Sequence, residues 1–331
     1  MKRTLTILTA LLGLLPLRAE MTLYRVAADG SGDFTSVQAA VDAVPDYLKG
    51  DGVEIFLAPG VYREKVMIPP TKERIYLHGE DAATTVIVWD DFAGRIGRTG
   101  QPLGTNATGT LYCCADDFMA ENITVENAAG EVGQACALVI DADRAAFVNC
   151  RLVGNQDTVY TYGDGQRILF RGCHIEGTTD FIFGYGSCWF EDCTVLSKRD
   201  SYVTAASTLE GRRFGYVFKN CRFVAAPGVS RCYLGRPWRK YARTVLIDCE
   251  LGSHIRPEGW HDWNKPYAHK TAFYAEYGST GPGAQGKRVG WARRLSPKEL
   301  RRYNIAEVLD AGAKEDKNGE MIPVKWYFKV F

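Results

Sequence analysis

Asp157 and Asp180 stand 23 residues apart, and Gln134 and Gln156 stand 22 apart, in a chain that repeats itself at about that interval. If the repeat stacks, one period lays a Gln over a Gln and an Asp over an Asp, at the spacing of adjacent strands, roughly 4.8 Å. Two carboxylates held that close do not both ionise comfortably near neutral pH. One keeps its proton and the other stays charged, which is the arrangement that acid/base and nucleophilic chemistry uses. The segments carrying this column are otherwise apolar: Gln134-Ala-Cys-Ala-Leu138, Gln156-Asp-Thr158 and Asp180-Phe-Ile-Phe-Gly184. Periodicity alone fits a structural polar ladder with turn aspartates equally well.

The elements that position the column are legible in five segments. Phe147-Val-Asn-Cys150-Arg-Leu152, Phe170-Arg-Gly-Cys173-His-Ile175, Phe190-Glu-Asp-Cys193-Thr-Val195, Phe218-Lys-Asn-Cys221-Arg-Phe223 and Leu246-Ile-Asp-Cys249-Glu-Leu251 share one pattern, with cysteines 23, 20, 28 and 28 residues apart. Such periods in short, alternating, β-prone stretches specify a solenoid of strands. The cysteines then occupy equivalent inward positions, with Ile123 filling the slot one coil earlier, and are expected to be free thiols acting as small hydrophobes. Short strands are expected at Val53–Leu57, Arg74–Leu77 and Thr85–Val88 and onward to about Tyr277, with Asp90 to Thr108 a loop. Ser36 to Val44 has helical spacing with Ser36 as N-cap, and would cover the open end of the solenoid. Ser296 to Tyr303 reads as a second capped helix.

The length, 331 residues, would by itself allow two or three domains, but the unbroken repeat points to one elongated domain. Contents of 46% hydrophobic and 24% charged residues are ordinary for a globular protein. Met1-Lys2-Arg3, an apolar run from Leu5 to Leu17 and Ala19 have the form of a secretory signal cleaved after Ala19. The expected divisions are a signal peptide at 1–19, a catalytic solenoid at 20–310 and a tail of unassigned role at 311–331. No membrane span is expected, and the location would be secreted or periplasmic. Without Lys2, Arg3 and Arg18 the chain carries 37 basic against 39 acidic residues. That balance argues against a nucleic-acid partner. No CxxC or Cys/His cluster suggests a metal, no cofactor is expected, and a monomer is.

The motifs resemble those of pectin methylesterases, in order. Gly60-Val-Tyr-Arg-Glu64, the three segments of the column and Leu234-Gly-Arg-Pro-Trp238 match that family's signatures. Asp29-Gly-Ser-Gly-Asp-Phe34, Tyr241-Ala-Arg-Thr-Val245 and Glu276-Tyr-Gly-Ser-Thr-Gly-Pro-Gly283 do so as well, and the resemblance spans about residues 22 to 292. It implies an all-β fold, a single-stranded right-handed parallel β-helix, that removes methyl esters from homogalacturonan and releases methanol without a metal. Residue by residue it implies Asp180 as nucleophile, Asp157 as general acid then base, Gln134 and Gln156 as oxyanion donors, and Arg236 as the cation gripping Asp180. Trp238 would stack on a sugar face, Phe183 and Tyr160 would line the cleft, and Thr110 aligns with a substrate-lining position. Trp260 and Trp263 are structural or distal-subsite residues on the same comparison.

Two departures stand out: Tyr185 occupies a position where the family commonly has Asn, and the plant enzymes' inhibitory pro-region has no counterpart. Rival readings are a β-helix polygalacturonase or lyase acting on the same polymer, or a non-catalytic pectin-binding solenoid. Paired aspartates suit a glycosidase, but a glycosidase of this shape would not require the paired glutamines or the Arg-Pro-Trp segment. Lyases usually need Ca2+ held by clustered carboxylates, which the sequence lacks near the column. For a binding solenoid the aromatics would suffice and the Asp column would be incidental.

Overall fold

The computed structural model describes residues 21–48, 52–310, 312–315, 321–323 and 326. The expected signal segment therefore lies outside the described residues, as does most of the tail. The described chain winds through three parallel sheets of eleven, eight and seven strands, each strand pairing with its counterpart one coil away. A single coil shows the path: Ala145–Val148 in the long sheet, Arg151–Val153 in the eight-stranded sheet, Val159–Thr161 in the seven-stranded sheet, then Arg167–Arg171 beside the starting strand.

The corner between the first two sheets explains the recurrent pattern. Asn122, Asn149, Asp192, Asn220 and Asp248 all have φ between 50° and 54°, and Gly172 and Gly278 take the same place at 62° and 65°. Asn, Asp and Gly are the residues that enter this left-handed region at least cost. The residue after six of these seven corners then points inward: Ile123, Cys150, Cys173, Cys193, Cys221 and Cys249 are all 0–1% exposed. Every cysteine of the chain is a free thiol. Their sulfurs sit against backbone carbonyls, as Cys150 Sγ does 3.3 Å from the Val148 oxygen.

Beside the thiols runs an aromatic stack. Phe147, Phe170, Phe190 and Phe218 are register partners, with successive ring centroids 5.2, 4.6 and 4.3 Å apart. Each ring is fully buried, so each coil adds one large apolar side chain to a continuous core.

The N-terminal helix covers the start of the solenoid as the sequence suggests, and two other expected elements differ in their bounds. Helix Val37–Ala43 buries Val37, Ala40 and Val41, and Ser36 Oγ accepts from the Ala39 N–H at 3.1 Å. Glu64 adds a second cap, accepting from the Val37 and Gln38 N–H groups at 2.8 and 2.9 Å. The motif ending in Glu64 is thereby a structural lock on the cap. Arg74 lies outside its expected strand, which runs Ile75–Gly79, because Arg74 turns the chain at φ 62°.

The expected helix from Ser296 to Tyr303 ends early. Pro297–Leu300 is one capped turn, and Asn304 then caps a new helix, Ile305–Val308, through its side chain. The break lets Leu300, Tyr303, Ile305 and Val308 lie on the outer face of the long sheet, against a second apolar cluster that includes Leu169, Trp189 and Val217. From the tail, Trp326 joins this cluster and donates to the Leu309 carbonyl at 3.0 Å.

Candidate active site

The seven-stranded sheet carries a third apolar cluster, separate from the core, and this face is the candidate groove. Tyr112, Val139, Tyr160, Phe183 and Ala205 form one column across neighbouring strands. Tyr160 and Phe183 stack with centroids 4.2 Å apart, and Trp238 leans on both. Tyr185 extends the aromatic surface, 5.8 Å from Trp238.

Asp157 and Asp180 sit at the head of two adjacent strands of this face. Val159 pairs with Ile182, so each Asp lies two residues before a register partner. Both adopt positive φ, 67° and 49°. The ladder holds them there: the Asp157 N–H donates to the Thr179 carbonyl at 3.0 Å and the Asp180 N–H to that of Tyr202 at 2.8 Å. They are 8% and 5% exposed.

Arg236 meets Asp180 with two bonds, Nε to Oδ1 at 3.0 Å and Nη2 to Oδ2 at 2.7 Å. The guanidinium lies between two aromatic faces, its carbon 3.8 Å from the Tyr202 ring centre and 3.7 Å from that of Trp263. A planar cation pressed between rings has little freedom, so the fork is aimed before any ligand arrives. Lys265 Nζ binds the Trp238 carbonyl at 2.9 Å and lies 4.4 Å over Trp263. Burial and the neighbouring Arg239 and Arg236 charges depress its pKa.

The two carboxyls are driven apart electrostatically. Burial and the charge of Asp180 push Asp157 well above the usual carboxylate range, with only a weak opposing pull from Arg236. Burial raises Asp180 too, but there the Arg236 bonds and charge work directly against it. Protonation therefore favours Asp157, leaving the charge on Asp180 beside the cation.

Gln134 and Gln156 form a parallel bridge one coil apart. Both are half-buried, and among the described residues their side-chain amides have no hydrogen-bond partner, so the N–H groups are free to donate. The four polar groups form two neighbouring pairs instead of one straight column. Gln134 pairs with Gln156 but Leu138 pairs with Val159, so the earlier coil holds one extra residue between them. This is a β-bulge, a feature that commonly re-aims a side chain beside an active site.

Thr110 does not reach the groove. It is fully enclosed, and its hydroxyl donates to the Glu126 carbonyl at 2.8 Å. Trp260 is likewise buried and stacks on Tyr274. Sequence reasoning missed Tyr202 and Lys265 and did not connect Trp263 with Arg236. Tyr202 had a usable signal, since it follows Asp180 by 22 residues, one coil.

A parallel β-helix carrying a carboxylate pair, one member forked to an arginine, defines a narrow class. The chain belongs to the pectinesterase family, whose model matches residues 24–312, and it is accordingly a carboxylic ester hydrolase. It is 38% identical over 291 residues to pectinesterase 31 of Arabidopsis thaliana, covering 85% of this chain and 90% of that one. Among solved structures, it is similar to the pectin methylesterase from carrot, with TM-score 0.81, 33% identity and coverage of 86% and 92%. It is similar also to PemA of Erwinia chrysanthemi, with TM-score 0.77, 26% identity and coverage of 88% and 98%. A pectin methylesterase in complex with hexasaccharide VII matches with TM-score 0.76 at 26% identity. These matches carry the right-handed parallel β-helix fold.

Proposed function

We propose that the chain hydrolyses methyl esters of galacturonate units in pectin, with Asp180 as nucleophile and Asp157 as general acid and base. The observation that carries this reading is the unequal treatment of two buried carboxyls, one forked to Arg236 and one left without a directly bound cation. Asp180 attacks the ester carbonyl, and the developing oxyanion takes N–H donation from Gln134 and Gln156. The tetrahedral adduct collapses as Asp157 gives its proton to the departing methoxide, so methanol leaves and Asp180 is joined to the sugar as an anhydride. Asp157, now ionised, takes a proton from water, whose oxygen adds to the acyl carbon. A second collapse breaks the anhydride, returns Asp180 to its ionised form with Asp157 again protonated, and frees the galacturonic acid, which loses its remaining proton to solvent. Trp238, Phe183 and Tyr160 offer apolar faces on which sugar rings stack.

The test is methanol release from methylated homogalacturonan, with EDTA present. Asp180→Asn should lose nearly all turnover, and Gln134→Ala roughly 10²- to 10³-fold. Unsaturated or shortened oligosaccharides would point to a lyase or hydrolase. Substantial activity in a folded Asp180→Asn protein would remove Asp180 from the nucleophile's role.

A further inference from the structure

Asn127 is almost completely buried, at 2% exposure, yet it lies on none of the segments that carry the site. It closes strand Thr124–Asn127 of the eight-stranded sheet, opposite Trp89, where the Asp90–Thr108 loop departs. Its Nδ2 lies 2.9 Å from the Asp91 carbonyl, 3.1 Å from that of Thr108 and 3.0 Å from that of Cys136. Its Oδ1 accepts from the Ala129 N–H at 3.0 Å. One side chain thus joins the start of the loop, its end, and the bulge two residues beyond Gln134.

The rest of the loop grips the same segment. The Ala93 N–H donates to the Gln134 carbonyl at 2.8 Å. The Cys136 N–H, turned out of the ladder by the bulge, donates to Thr108 Oγ1 at 2.9 Å. Gln134 is therefore held on one side by its bridge to Gln156 and on the other by a loop whose two ends meet at Asn127.

We propose that Asn127, with Thr108, is a positioning residue that sets the bulge and so fixes where the Gln134 amide points. The inference rests on the oxyanion role proposed for Gln134. An amide has the composition this point needs, since two N–H donors serve three carbonyls while the oxygen serves an N–H. Misplacing a catalytic group by about 1 Å costs on the order of 10²-fold in rate. Loss of Asn127 acts on the transition state through Gln134 while leaving the sugar-binding aromatics in place.

The experiment is a double-mutant cycle on methanol release, using Asn127→Ala and Thr108→Val in the wild-type and Gln134→Ala backgrounds. Thr108→Val keeps the shape and removes the acceptor for the Cys136 N–H, together with the hydroxyl's own bond to the Thr105 carbonyl within the loop, so it carries the test alone should Asn127→Ala not fold. Each is expected to lower kcat by roughly 10- to 100-fold with KM little changed, and to have almost no further effect once Gln134 is Ala. An equal loss in both backgrounds, or no loss in the wild-type background, would overturn the inference. Failure of the Gln134 reading shows separately, as a Gln134→Ala protein with undiminished kcat.

Discussion

Arg236→Lys keeps a positive charge opposite Asp180 and removes the shape that delivers it. The guanidinium makes two bonds to the carboxylate, and its flat body fills the gap between Tyr202 and Trp263. Hydrogen bonds to charged groups are each worth about 1.5–3 kcal/mol. A lysine ammonium, a point charge on a flexible stem, recovers about one of the two. The side chains of Arg236 and Asp180 are only 16% and 8% exposed, so solvent screening reduces the loss little. The expected penalty of about 1.5–3 kcal/mol corresponds to roughly a 10- to 150-fold fall in kcat/KM. Much of it falls on the ionised form of Asp180, whose carboxyl is already raised by burial and held down mainly by this cation. Removing the fork raises it further, because the Arg236 bonds and charge are what oppose burial there. Because the nucleophile must be ionised, the acidic limb of the kcat/KM profile should move to higher pH, and the defect should shrink in alkaline buffer. Initial rates of methanol release across the pH range measure both effects. A variant with wild-type kcat/KM and an unmoved acidic limb would refute the assignment of Arg236 to Asp180's charge.

Asp157→Asn should abolish turnover yet stabilise the fold at pH 7. The folded carboxyl of Asp157 is raised, so its contribution to stability is fully present below the unfolded pKa and is lost as pH rises through the folded one. Melting curves of the two proteins should converge below about pH 4, and a wild type that melts higher at pH 7 would contradict this. Cys150, Cys173, Cys193, Cys221 and Cys249 should resist thiol reagents in the native protein and titrate as free thiols in denaturant without reductant. Burial raises the thiols of Cys150, Cys193 and Cys249 and withholds all five from solvent; disulfides in the unreduced protein would refute it. Phe190→Ala, which removes a ring stacked on both sides, should cost about 3–5 kcal/mol in denaturant unfolding. A loss under 1 kcal/mol would show that the coils do not share a continuous core.

The inward face of the solenoid was legible because it is strictly repetitive. Phe147, Phe170, Phe190 and Phe218, with the cysteine three residues after each, recur in phase, and a wrong register would have exposed them. The groove was legible chiefly through its resemblance to a family, because its residues are exceptions to the repeat. No period predicts the extra residue between Gln134 and Leu138, since loop lengths vary from coil to coil and hide a one-residue bulge. Thr110 was misleading for a related reason: its segment reaches the groove, but its hydroxyl turns away to the Glu126 carbonyl. The sandwich around Arg236 draws Tyr202 and Trp263 from two other coils, and Trp263 comes from an irregular turn with φ 57°.

The left-handed residues connect the legible part with the hidden part. At seven corners of the long sheet they are Asn, Asp or Gly, and they turn the chain from one sheet to the next. Asp157 and Asp180 use the same backbone state at the head of the groove strands, where the consequence differs. Such a residue costs on the order of 1 kcal/mol or more, and persists where neighbours over-determine it. Here the neighbours are the adjacent coils, through the Thr179 and Tyr202 carbonyls that receive the two Asp N–H groups. The stacked core supplies stability that local sequence does not. A device that elsewhere bends the chain can then hold two buried carboxyls at the head of adjacent strands.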